Sequence, residues 1–248
     1  MSNTATLAGK TVVIIGGSSG MGLAAATALA ARQAKVVVVG RNQDKLDAAA
    51  RQIGDKARGE VRTAAVDLSD ATAARAFFAD LDALDHLVIA ASSGVAWGPF
   101  VELEPEILRT AFDGKFWVHF HAARFAAPRL GPGASITFLT GGAARAALPG
   151  TAGLAAVNGA IGAMARTLAK ELAPIRVNVL SPGFVDTPAY DGMAEAERTA
   201  TYQHMAETLP VGRIGATDDI APAIAFLVEN GFTTGAVLDV DGGNTLLG

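Results

Sequence analysis

The sequence predicts a doubly wound α/β domain with a seven-stranded parallel sheet and helices on both faces. Three observations predict it. Short β-branched runs alternate with longer Ala-rich stretches along the chain. The first two runs, Thr11–Gly16 (TVVIIG) and Lys35–Gly40 (KVVVVG), are nearly continuous Val and Ile, the pattern of strands buried on both faces. The 248 residues fit one large α/β domain, 1–248, although two small ones would also fit; no linker, internal repeat or low-complexity tract divides the chain.

Further strands are expected at Val61–Asp67, His86–Ala90, Ser135–Thr140, Arg176–Leu180 and Ala236–Val240. Helices are expected between them. Met21–Gln33 is rich in Ala and Leu. Asn42 and Ser69 read as N-caps of the next two helices, because their side-chain oxygens can accept from first-turn N–H groups. Glu104-Pro105 opens a long segment with proline at the first helical position. Leu154, Val157, Ile161, Met164 and Leu168 recur at three and four residues and define one apolar face. Thr217 reads as the cap of the last helix. The interval Thr187–Pro210 is polar and helical, and follows a strand end, where open α/β sheets hold their ligands. It reads as a substrate lid, or as a surface helical pair without a role.

Composition narrows the function classes. Half the residues are hydrophobic, enough for a large core. Lys and Arg total 20 against 24 Asp and Glu, a net charge of −4, so no surface for nucleic acid is expected. There are no cysteines, which excludes disulfides, thiolate metal sites and cysteine nucleophiles; no metal site is expected. Charges and glycines interrupt every apolar run, so no membrane span is expected. Met1–Gly9 lacks the basic-then-apolar order of a signal peptide. A soluble, cytoplasmic protein is the expectation.

The first strand runs into Gly16-Gly17-Ser18-Ser19-Gly20-Met21-Gly22 and then a helix. Glycine permits the tight turn and lets backbone N–H groups approach a pyrophosphate, which the helix N-terminus attracts. A glycine turn without ligand is the competing reading. The strand–loop–helix–strand context favours the dinucleotide site of a Rossmann domain. The second strand ends in Gly40-Arg41-Asn42. An NAD site carries a carboxylate there for the ribose 2′-hydroxyl. Gly40 removes it, and Arg41 can pair with a 2′-phosphate, so NADP(H) is the expected cofactor. Arg41 could also be a solvated surface residue. Ser18 and Ser19 can add donors, and Asp67-Leu68 would lie beside the adenine.

The loop Gly16, Gly20, Gly22, the segment Ile175–Pro188 (IRVNVLSPGFVDTP), Gly212-Arg213-Ile214-Gly215 and the tail Thr234-Gly235 with Asp241-Gly242-Gly243 resemble the short-chain dehydrogenase/reductase family in order and across essentially the whole chain. The resemblance implies an NADP(H)-dependent oxidoreductase acting on a carbonyl or alcohol. It also implies a homo-oligomer, a tetramer or dimer, with the tail in subunit contacts. Pro182, Gly183, Val185 and Thr187 would hold the nicotinamide carboxamide, and Ala90, Ala91 and Ser92 stand in the family's fourth-strand motif.

The family's catalytic positions are where this chain departs. By register, Leu154 falls on the family's Tyr, Asn158 on its Lys, Gly141 on its Ser and Lys115 on its Asn. Leucine transfers no proton. Asn158 in place of a Lys and Lys115 in place of an Asn make a reciprocal exchange that would keep one ammonium and one amide near the nicotinamide ribose. Lys115 then stands as ribose ligand and candidate proton donor, its pKa lowered by a partly apolar site; drift without catalytic work is the competing reading. His119, one turn beyond Lys115 on the same face, could titrate near neutral pH, or be satisfied in packing or at a subunit contact. Thr140 keeps a hydroxyl beside Gly141. Arg145 could meet an anionic substrate or solvent. The alternative function is a catalytically silent NADP(H)-binding sensor or structural protein. No nucleophile–base pair supports a hydrolase or lyase.

Overall fold

The computed structural model describes residues 7–247. The first six residues of Met1–Gly9 lie outside them. Seven strands form one parallel sheet: β1 (Thr11–Ile15), β2 (Lys35–Gly40), β3 (Val61–Ala65), β4 (His86–Ile89), β5 (Ser135–Leu139), β6 (Arg176–Pro182) and β7 (Val237–Val240). Their order is β3-β2-β1-β4-β5-β6-β7. The order reverses between β1 and β4, and open α/β sheets bind their ligands outside the C-terminal strand ends at such a reversal.

Alternation along each strand feeds two cores. Val13 and Ile15 join Leu87, Ile89, Ile136, Phe138 and Val177 on one face of the sheet. Val12 and Ile14 join Val38, Val88 and Leu180 on the other. The first face is covered by α3 (Ala71–Ala79), α4 (Pro105–Ala111), α5 (Val118–Ala126) and α6 (Ala152–Glu171). The second is covered by α1 (Gly20–Ala31), α2 (Gln43–Gly54) and α8 (Thr217–Glu229). On α6, Val157 and Ile161 are buried in the first core, and Met164 and Leu168 pack against it, as their spacing predicts. Between β6 and α8 lies α7 (Glu195–Thr208), a helix with no buried residue.

Asn42 caps α2 as expected, its Oδ1 accepting from Lys45 N–H at 2.9 Å. Two other capping expectations are corrected. Asp70, rather than Ser69, caps α3: its carboxylate accepts from Thr72 and Ala73 N–H, while the Ser69 hydroxyl donates to Asp67. A carboxylate is the stronger acceptor at a helix N-terminus. Ala216, rather than Thr217, stands at the N-cap of α8, and its N–H donates to Asp219 at 2.8 Å. Asp219 also pairs with both terminal nitrogens of Arg213, and so satisfies the helix start without a capping hydroxyl.

Candidate active site

The loop after β1 is built from glycines at two kinds of position. Gly16 (φ +75°) leaves β1 in a left-handed turn; a Cβ there would stand 3.0 Å from the Ala90 carbonyl and Ala91 nitrogen. Its bareness lets the loops after β1 and β4 touch, with Ala90 N–H donating to Ile15. A Cβ on Gly22 would stand 2.2 Å from the Gly16 carbonyl oxygen, so only glycine lets α1 begin beneath the loop. Gly20 (φ +53°) differs: the nearest atom to its Cβ position is Thr187 Cβ, at 3.6 Å. The segment after β6 thus lies over the glycine loop at a distance that leaves room for a methyl group at 20. Ser19 stands at the N-cap of α1 without a side-chain capping bond, and no acid occupies the first turn. The first-turn N–H groups remain free for an anion.

Gly40 closes β2. A Cβ there would come 3.3 Å from Ser18 Oγ. Arg41 is exposed beside this junction. The Ser69 hydroxyl and N–H, and to a smaller degree the charge of Arg41, hold the Asp67 carboxyl below the usual range, against burial. Asn42 Oδ1 is committed to its helix cap. The Leu68 side chain is buried in the core, and its carbonyl accepts from His121 Nδ1 at 3.0 Å, so this position offers a ligand little.

At the C-terminal edge of β5, Lys115 and Asn158 meet. Lys115 lies in a π-helical turn, Phe112–Trp117, that joins α4 to α5. Such wide turns swing one side chain out of ordinary helical register. Its Nζ donates to Asn158 Oδ1 at 2.7 Å and to the Thr140 carbonyl at 3.1 Å. Asn158 projects from α6, one turn past half-buried Leu154. Lys115 is 7 % exposed, and burial lowers its pKa to about 8. A buried ammonium with no carboxylate partner is costly, yet both neighbours that hold it are neutral acceptors.

Of the readings of His119, satisfaction in packing is the one the structure bears out, and titration near neutral pH is not. The ring is fully buried and stacks on Phe138. Its Nδ1 faces the Lys115 carbonyl at 2.8 Å and its Nε2 the Leu139 carbonyl at 3.2 Å. Burial, with the Lys115 charge second, holds its pKa to about 3, so the ring is neutral and braces the π-turn from behind. The Thr140 hydroxyl turns away to the Leu180 carbonyl at 3.4 Å; only its carbonyl serves Lys115. Arg145 pairs with Asp239, its Nε 3.0 Å from Oδ1. Beyond Pro182, a Cβ on Gly183 would collide with Asp241 at 2.6 Å, which gives this glycine a packing reason. Val185 is buried and bridges to Gly215, fixing the turn that carries Thr187.

Two features of the rim escape local sequence reading. The segment after β4 is tied to the entry of α6 by Gly98 N–H donating to the Gly150 carbonyl, and it leaves Trp97 and Phe100 exposed. In 187–210, Tyr190 packs on Phe184 at 4.9 Å, and Tyr202 closes on both rings. The aromatic residues themselves were the available signal; their partners were not. Among the described residues no cluster of His, Asp and Glu could hold a metal, and no helix is long and apolar enough to cross a membrane.

A parallel sheet with this order and a glycine loop opening α1, with a polar pair at the C-terminal edge of the same sheet, define a dinucleotide-binding α/β protein. The model of a family described as enoyl-(acyl carrier protein) reductase matches residues 16–245. The chain is 34% identical to a short-chain dehydrogenase/reductase, ATR9, of Stachybotrys chlorohalonatus, over 96% of this chain and 98% of that protein. Among solved structures, a small-chain dehydrogenase in complex with NADPH shares 37% identity and a TM-score of 0.81, covering 96% of this chain and 99% of its own. The MalC reductase/Diels-Alderase of Malbranchea aurantiaca shares 27% identity and a TM-score of 0.89, covering 97% and 98%. The chain belongs to the short-chain dehydrogenase/reductase family.

Proposed function

We propose that this protein is an NADP(H)-dependent oxidoreductase of a carbonyl or alcohol substrate, in which Lys115 and Asn158 exchange the places of the family's Asn and Lys while Leu154 stands in place of its Tyr. The observation that carries the reading is the 2.7 Å bond between Lys115 Nζ and Asn158 Oδ1. The two exchanged residues meet, as a reciprocal exchange requires. The loop fits the cofactor: Gly20 carries no side chain where Thr187 lies over it, and the N-terminus of α1 has neither a side-chain cap nor an acid in its first turn. Gly16, Ser18, Ser19, Gly20, Met21 and Gly22 would take the pyrophosphate. Arg41, with Ser18 at hand, would take the 2′-phosphate. Asp67 would border the adenine, and Ala90, Ala91, Ser92, Pro182, Gly183, Val185 and Thr187 the nicotinamide half. Bound dihydronicotinamide supplies the hydride. Lys115 holds a positive charge beside the ribose, and the residues 187–210 close over the substrate.

Titration of the purified chain with NADPH and NADH, followed by a screen of aldehydes, ketones and quinones, tests this reading. NADPH is expected to bind more tightly. Arg41→Ala should cut that preference by about ten- to a hundredfold, the worth of one charge-assisted phosphate contact. Equal affinity of the wild type for both cofactors overturns the assignment of Arg41. NADPH binding without turnover of any acceptor leaves the silent-binder reading instead.

We also propose that residues 1–248 form one domain and that the chain self-associates through its tail. Phe232 and Val237, beside and on the last strand, are exposed apolar side chains in keeping with a subunit contact. Sedimentation at micromolar concentration should show a dimer or tetramer; a monomer contradicts this.

A further inference from the structure

We propose that Asn158 presents its amide N–H as a fixed donor to a substrate oxyanion, and that the site therefore serves conjugated carbonyl acceptors, enones or quinones, in preference to isolated ketones. This rests on the function proposed above and narrows its substrate class.

The orientation of the amide follows from its neighbour. An ammonium only donates, so the Asn158 atom 2.7 Å from Lys115 Nζ is the oxygen. The Nδ2 is then turned away from Lys115. It makes no hydrogen bond among the described residues, and it is not sealed from solvent. It points past Gly141, where a Cβ would stand 3.1 Å away. Any side chain at 141 would crowd this donor; with glycine there it keeps a narrow approach, Asn158 being 5 % exposed as a whole. Lys115 uses two N–H groups on Asn158 and Thr140 and is almost wholly buried, so it acts as a fixed positive charge behind the amide.

Strong hydrogen-bond donors are thus present, but good proton donors at the oxygen are not. The chain has two tyrosines, and both lie in the aromatic cluster after β6, with the Tyr202 hydroxyl donating to Asp186 at 2.7 Å. Of the four histidines, His119 is sealed, His121 is bonded to Leu68, His204 is on exposed α7, and His86 is at the opposite edge of the sheet. Hydride addition to an isolated ketone leaves a localised, strongly basic alkoxide that needs a proton at once. Hydride addition at the far carbon of an enone moves the C=C pair into a new double bond and the C=O pair onto oxygen. The resulting enolate is delocalised, held by the Asn158 N–H in the field of Lys115, and later takes its proton from water. A quinone gives a hydroquinone anion in the same way. In both, the substrate gains two electrons and the nicotinamide loses them.

The test uses two readouts on the NADP-loaded protein. First, 4-nitrophenol serves as an oxyanion mimic, with the phenolate absorbance followed against pH. The wild type should lower its apparent pKa by about one unit. Asn158→Leu and Asn158→Asp should both abolish this shift. The second variant keeps the shape and an acceptor for Lys115, so loss of fold is not the cause. Second, with NADPH, an enone or quinone should be reduced at least about tenfold faster than its saturated ketone. An unshifted phenol, equal reduction of the saturated ketone, or no reduction of either despite bound NADPH overturns the proposal. Failure of NADPH to bind at all, measured before any acceptor is added, strikes the proposed function instead.

Discussion

Lys115→Met is expected to lower NADPH-dependent turnover by about a hundredfold or more, the usual loss when a fixed charge or donor leaves a closed site. Steady-state kinetics on whichever acceptor the screen identifies measures it, and an unchanged kcat/KM contradicts the role. The same variant carries a stability signature that does not depend on substrate. Lys115 has its folded-state pKa lowered by burial to about 8, below its ordinary 10.5. Below pH 8 the residue is charged in both states, and the full cost of burying the ammonium opposes folding. Between pH 8 and 10.5 the folded protein gives up this proton before the unfolded chain does. The Lys115 contribution to stability therefore rises with pH across that window. Relative to Lys115→Met, the wild type should gain about 2 kcal/mol between pH 7 and pH 10, from the depression and about 1.4 kcal/mol per unit. Urea unfolding at the two pH values reads this difference. A difference that stays constant with pH would show that the lysine titrates as if exposed.

Gly22→Ala should be the most damaging single methyl group in the glycine loop. Its Cβ would fall 2.2 Å from the Gly16 carbonyl oxygen, a backbone atom that cannot step aside. A stability loss of about 3 kcal/mol is expected, at the upper end for overpacking, together with loss of NADPH binding. Gly20→Ala separates the two effects. Its Cβ meets nothing nearer than 3.6 Å, so the cost to the fold is the left-handed φ, about 1 kcal/mol. The methyl group would nevertheless enter the space beneath Thr187 where the pyrophosphate is proposed to lie. NADPH affinity should fall about tenfold or more while the melting temperature changes little. If both variants lose stability equally and keep affinity, the loop is a packing turn and not a phosphate site.

Much of this architecture was legible in the residues. TVVIIG and KVVVVG became central strands because continuous β-branched runs can only be satisfied with helices on both faces. The glycines at 16, 20 and 22 marked a turn that L residues do not make, and the structure separates their reasons: φ and loop contact at 16, φ alone at 20, clearance at 22. Capping was read less well. Ser69 and Thr217 are good capping types, but Asp70 takes the Thr72 N–H that Ser69 could have reached, and the last helix starts one residue earlier, with Thr217 inside it and Asp219 accepting from the Ala216 N–H.

The sequence by itself determined the strand order's ingredients, the glycine loop, the bare Gly40 beside Arg41 and the absence of a phenol on α6. Each is a property of contiguous residues: periodicity, permitted φ, or the chemistry a side chain lacks. Only the tertiary structure decided what Lys115, Asn158 and His119 do. The bond between Lys115 and Asn158 spans 43 residues, and the Thr140 carbonyl that shares the ammonium comes from a third element. His119 lies one turn beyond Lys115 on the same face, a placement that fits a titrating or a packed ring equally; Phe138 and two backbone carbonyls decide for the packed one. Burial and partners arise from segments brought together by the sheet, and they set the charge of a lysine or histidine more strongly than its neighbours in the chain.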